Sequence, residues 1–258
     1  MSDSRESSIE VEICCGDLES ILEAHAGGAD RIELCCGLSE GGLTPSSAMI
    51  RYAAESGIRH INVLIRPRPG DFLYSEEEVH LMENEIIDAV NAGATGIVIG
   101  ALTPDGDVDM EVNRRLIAAA RRDPAKRVGI TFHRAFDVAR DPVESLERII
   151  SLRCDSLLTS GMAPNAEAGI PLLVKLTEQS AGRIQIMAGS GVTPDNATAI
   201  IASGVGAIHS TARSLRKSGM RFHRKDVPMG APGADEYSRR VTDRKIVAQL
   251  IDIANSAK

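Results

Sequence analysis

Tryptophan is absent from the 258 residues, and only three tyrosines and four phenylalanines occur. A chain this poor in aromatic rings offers no platform on which successive bases could stack. Dense basic runs are missing as well. Acidic residues outnumber basic ones, for a net charge of −7 and an isoelectric point near 5.4, so neither nucleic acid nor an anionic membrane finds an electrostatic partner. No stretch approaches the roughly 18 apolar residues of a membrane span. The opening MSDSRESSIE lacks the basic-then-apolar order of a secretory leader, so residues 1–8 are expected to be a short flexible end and the protein to be cytoplasmic. Five cysteines include no C-x-x-C pair. An odd number without an export signal fits reduced thiols, not a disulfide framework.

What is present is a regular alternation. Short β-rich runs recur at 9–14, 31–35, 61–66, 96–100, 128–134, 155–160, 183–189 and 206–210. Helical segments lie between them, with start signals at Asp17, at Thr44 with Pro45, at Ser75 with Glu78, at Asp141 with Pro142 and at Thr193 with Pro194. Eight strand–helix units without a composition break predict an α/β fold, a (β/α)8 TIM-type barrel forming one domain over 9–258. An open doubly wound sheet is the alternative. The first strand–helix turn, CCGDLES, lacks the G-x-G-x-x-G fingerprint that such a sheet would use for a dinucleotide, so no nucleotide cofactor is expected. The polar stretch from Thr211 to Thr242 reads as a long loop after strand eight, on the catalytic face.

Barrel strands alternate their side chains between the helix layer and the interior. Apolar residues must cover the helix side, which leaves Glu12, Cys14, Glu33, Cys35, Asn62, Leu64, Arg66, Thr131, His133, Gln185, Met187 and His209 inward. Strand six is ambiguous, with Thr159 the expected inward group. A structural interior would favour Val, Ile and Leu. Buried charges need partners or a ligand, so this interior points to function.

Five segments carry candidate chemistry. The repeated pentapeptides EICCG and ELCCG put Cys14 and Cys35 at equivalent places on neighbouring strands about 4.8 Å apart, where their sulfurs could share a soft ion such as Cu(I), completed by Met187 or a histidine. They could equally be buried packing. In IRPRPGDF, Arg66 and Arg68 suit a carboxylate or phosphate, oriented by Asp71, or Arg66 could pair internally with Glu33 or Glu12. In TFHRAFD, His133, Arg134 and Asp137 gather at one strand end, and with Glu33 and Arg66 they form the candidate catalytic set. The turn MAGSGVTPDN opens a helix after strand seven, so Gly189, Ser190 and Gly191, joined by Ser210, Thr211 and Arg213, are a candidate anion site.

The motifs EICCGDLES, ADRIELCCGLSEGGLTPS, IRPRPGDFLYS, GDVDM, TFHRAFD, LLTSG, IMAGSGV and ADEYSRRVTD occur in order and together resemble the CutC family. The resemblance implies a TIM-type barrel, a cytoplasmic homo-oligomer, and a part in copper binding, tolerance or trafficking, with Cys14 and Cys35 as copper ligands. The residues themselves support a competing function. Glu33, Arg66, His133, Arg134 and Asp137 suit acid/base chemistry on a small anionic or phosphorylated substrate better than they suit Cu(I). A Schiff-base aldolase is disfavoured because no strand end carries a lysine.

Overall fold

The computed structural model describes residues 9–224, 226–227, 229–230 and 235–257; the expected flexible end at 1–8 lies outside them. Strands β1 (Glu10–Cys15), β2 (Arg31–Leu34), β3 (His60–Leu64), β4 (Gly96–Ile99), β5 (Gly129–Phe132), β6 (Ser156–Thr159), β7 (Gln185–Ala188) and β8 (Ala207–Ser210) form a closed parallel barrel in chain order. Helices α1 (Leu18–Ala26), α2 (Ser47–Glu55), α3 (Glu76–Asn91), α4 (Met110–Ala120), α5 (Pro142–Ser151), α6 (Ile170–Ser180), α7 (Pro194–Ile201) and α8 (Arg244–Ser256) follow the strands in turn. This is the (β/α)8 architecture that the alternation predicts. No helix among the described residues is long and apolar enough to cross a membrane.

Local signals explain where the helices begin. Asp17 accepts from the Ser20 amide at 2.7 Å, and Ser75 with Glu78 forms a reciprocal capping box. The second helix departs from expectation, because Ser46 and not Thr44 is its cap. The Thr44 hydroxyl instead donates to Glu85 and accepts from the Arg66 amide.

Between strands and helices lies the main core, where Ile13, Ile32, Leu34, Ile61, Val63, Ile97, Ile130, Phe132, Leu157, Ile186 and Ile208 face outward. Cys15 and Cys154 pack in that layer, whereas Cys14 and Cys35 join Leu64 and Val98 inside the barrel. Adjacent cysteines thus face opposite ways, as period two requires. Strand β6 corrects the expectation for its parity. Leu158, clustered with Met187 and Ala207, is the inward residue, while Thr159 turns out to meet Asp137.

The expected loop after β8 is in part a hairpin. Strands β9 (Arg213–Lys217) and β10 (Ser238–Thr242) pair antiparallel, Arg213 opposite Thr242. Arg216 and Arg239 both reach Glu19 on α1, tying the hairpin to the rim.

Close backbone approach makes one glycine beside the barrel mouth indispensable. A Cβ on Gly169 would stand 1.8 Å from the Ser160 carbonyl oxygen, and backbone cannot swing aside as a flexible side chain can. Gly169→Ala is expected to destabilise by about 1–3 kcal/mol or more, read as a lowered urea midpoint. Gly219→Ala, where a Cβ meets nothing within 4 Å, should leave that midpoint unchanged.

Candidate functional site

The middle of the barrel is built around one carboxylate. Glu12 has no exposed surface. Its Oε2 accepts from Arg31 Nε at 2.8 Å and Asn62 Nδ2 at 2.6 Å, and its Oε1 lies 2.8 Å from His209 Nδ1. Burial alone would push this carboxyl up, but the Arg31 guanidinium and the His209 imidazole outweigh it and hold Glu12 at about 2. Arg31 enters from the barrel's N-terminal end and also donates to Gln185 Oε1 and Met187 Sδ. Met187 is therefore engaged below the thiols, not beside them.

One layer higher, Cys14 pairs in register with Glu33. Its Sγ lies 3.3 Å from Glu33 Oε2 and 3.6 Å from Cys35 Sγ. That sulfur separation far exceeds the roughly 2.05 Å of a disulfide, and all five cysteines are free. Cys14, Glu33 and His209 each bring one ligand atom within 4.8 Å of the others. The hydrogen bond to Cys35, and then burial, push the Cys14 thiol well up. Burial raises Glu33, reinforced by the charge on Glu12 and opposed by His209. Burial would lower His209, yet Glu33, Cys14 and Glu12 together carry it well above its ordinary value. The resting cluster is a thiol pair and an imidazolium between two carboxyl groups.

This cluster forms part of the floor of a pocket of about 670 Å³ at the C-terminal ends of the strands. Arg66 and His133 sit just beyond the ends of β3 and β5 on its wall. Arg66 is paired with neither Glu33 nor Glu12. Its Nη1 donates to the carbonyls of Glu40 and Gly42, its Nη2 to that of Gly70, and its guanidinium stacks 5.1 Å from the Phe72 ring centre. Phe72 also packs on His133, 4.9 Å between ring centres. The Ala135 amide donates to His133 Nδ1 at 3.1 Å, which puts the ring proton on Nε2. Burial, then the charge of Arg66, lower this imidazole to about 3, so it is a neutral donor at pH 7.

Asp137 is occupied by its own loop. It accepts from the Thr159 hydroxyl, from the amides of Ser160 and Met162, and from Arg134 Nε at 2.7 Å. Arg134 and Asp137 thus reach the pocket as an ion pair. Arg68 is likewise held by Glu78 and Asp71. Across the pocket, Ser190, Gly191, Val192 and Thr193 at the start of α7 face Ser210 to Arg213. The Ser210 hydroxyl bridges these two segments by donating to the Val192 carbonyl. Gly189 lies just behind, where a Cβ would meet Leu158 and His209. His25, His60, His80 and His223 are exposed.

Three site features escape the motif reading. Arg31, two residues before Glu33 and on the same face by parity, supplies the counter-charge in the barrel centre. Phe72 orders two donors at once. Arg240 of β10 reaches the pocket only through the hairpin. A second groove, about 920 Å³, opens at the N-terminal face near Glu10, Arg31, His60 and Gln185, the end of a barrel associated with stability and not chemistry.

Known proteins align with this chain over nearly its full length. The CutC family matches residues 9–214. A human protein named copper homeostasis protein cutC homolog is 45% identical over 95% of this chain and 89% of its own. A CutC protein from Vibrio campbellii is 43% identical over 95% of this chain and 99% of its own. A crystal structure of a CutC protein from Streptococcus agalactiae superposes with a TM-score of 0.73 at 31% identity, covering 79% of this chain and 98% of that one.

The neutral His133 has a consequence for acid stability. Its folded value, about 3, lies below the ordinary 6.5, so between those limits the unfolded chain binds a proton that the folded chain refuses. Stability falls as pH drops through 6.5, by about 2 kcal/mol at pH 5. His133→Asn keeps an acceptor for the Ala135 amide and removes the titration. Its urea-unfolding free energy should decline less than that of wild type between pH 7 and pH 5.

Packing around the same ring is equally tight. A Cβ on Gly100 would lie 2.5 Å from His133 Cε1 and Nδ1. Gly100→Ala should therefore displace the imidazole, seen as a shift of its ring resonances in the folded protein.

Proposed function

The chain belongs to the CutC family, and from that premise we propose that it serves copper homeostasis by binding Cu(I) at Cys14 and Cys35, with His209 as an additional ligand. The observation that carries this reading is the 3.6 Å thiol pair beside Glu33 and His209 in a buried cluster. Thiolate sulfur selects Cu(I), and imidazole accommodates copper. Glu12 bonds the Nδ1 of His209, which orients Nε2 toward Cys14 and Glu33. A carboxylate behind a histidine is the usual outer support of a metal ligand. Glu33 is a harder donor, and in this reading it receives or shuttles the thiol protons. The free thiols fit a reducing, cytoplasmic setting, and the proposed assembly is a homo-oligomer, measurable by light scattering.

Binding must displace protons. The Cys14 thiol is held up by Cys35 and by burial, and His209 is held protonated by Glu33, Cys14 and Glu12 against the opposing effect of burial. Both must deprotonate before they ligate, so Cu(I) affinity should rise with pH across the neutral range. Anaerobic titration of the reduced, metal-free protein against a competing Cu(I) chelator measures it. Glu12→Gln should weaken binding by about 10–100-fold. Unchanged affinity in the Cys14→Ser, Cys35→Ser double variant would sink the assignment.

A further inference from the structure

Five buried side-chain nitrogen or oxygen atoms among the described residues lack a hydrogen-bond partner: Arg66 Nε, Tyr74 Oη, His133 Nε2, Thr177 Oγ1 and Arg213 Nε. Three of the five belong to residues that line the barrel-top pocket, Arg66, His133 and Arg213. All three atoms are N–H donors, the arginines by nature and His133 because its Nδ1 is already an acceptor. Buried donors in folded proteins almost always find acceptors. Three of them belong to side chains that line one cavity, and a guest rich in oxygen is what such donors would bond there.

Charge points the same way. The chain carries a net −7, yet the pocket is lined by Arg66, Arg134, Arg213 and Arg240 against only Glu33 and Asp137. Arg134 is matched by Asp137. Arg66 gives its terminal nitrogens to three carbonyls, which occupy three of its five N–H hydrogens without neutralising its charge. Neither it nor Arg213 has an ion-pair partner among the described residues.

We propose that this pocket binds a small organic oxyanion, a compound with a phosphate or carboxylate group whose oxygens accept from Arg66 Nε, His133 Nε2 and Arg213 Nε. His133 is 5% exposed and Arg66 7%, with Phe72 packed against both, so two of the donors are fixed before the ligand arrives. Across the cavity, the backbone of Ser190 to Thr193 opens α7 and adds the positive end of a helix. The site is independent of copper. None of its donors is a thiol or His209, which form part of the floor beneath.

The test uses reduced, metal-free protein with a chelator present, titrated calorimetrically with 2-phosphoglycolate and, separately, malonate. Saturable binding of either supports the site, and the tighter of the two identifies the preferred anionic group. His133→Asn, which keeps the Ala135 contact, and Arg213→Leu should each weaken binding by about tenfold or more. Arg59→Gln, exposed at the opposite face, should leave it unchanged. Absence of saturable binding by both probes, or affinities unaltered in His133→Asn and Arg213→Leu, overturns the proposal. Because the thiols are untouched, either result leaves the Cu(I) assignment to stand or fall on its own titration.

Discussion

A single buried negative charge, the carboxylate of Glu12, organises the interior of this barrel. Removing a carboxylate from water costs several kcal/mol even after relaxation, and here three neighbours offset that cost: Arg31 from below, Asn62 from the side and His209 from above. Each is thereby fixed. Gly96 keeps the space beside Asn62 open, since a Cβ there would lie 2.0 Å from its Oδ1. The fixed His209 then presents its second nitrogen to Glu33 and Cys14. The protonation of the upper cluster therefore begins with a residue that never meets the pocket.

Above that layer the chemistry changes character. The floor is ionic and proton-rich, whereas the wall at Arg66 and His133 is a set of donors held by backbone atoms and an aromatic ring. The two sets share a cavity without sharing a hydrogen bond, which allows one barrel mouth to contain groups suited to a soft cation and groups suited to an anion. Their separation follows from strand geometry. Cys14, Glu33 and Cys35 lie at the ends of the first two strands, while Arg66 and His133 stand beyond the ends of β3 and β5, in the loops.

Much of this was readable in the chain itself. Period-two alternation suffices to put Glu12, Cys14, Glu33, Cys35, Asn62, His133, Met187 and His209 on the inner side, because apolar neighbours had to cover the other. It fails for β6, whose SLLT is buried on both faces and so has no polarity contrast to set parity. The partners of Arg66 are three backbone carbonyls, which leave no trace in residue identity. The same holds for Asp137, whose acidic side chain looks catalytic in a motif but is bonded by the amides of a loop 23 and 25 residues away. The hairpin is not legible in the sequence because its strands are short, largely charged and too far apart in the chain for a turn signal to set their register.

The pairing of β1 with β8 sets Glu12 opposite His209, 197 positions apart in the chain. That contact needs the first and last barrel strands side by side, so the cluster rests on the longest-range strand pairing of the barrel. Until the eighth strand arrives, Glu12 lacks one of its three partners and Cys14 remains open along an unpaired edge. Closure supplies the imidazole, seals the thiol and completes the floor of the pocket in one event. Alkylation of Cys14 during refolding would accordingly report on the pairing of β1 with β8, a long-range contact of the kind that parallel sheets form slowly.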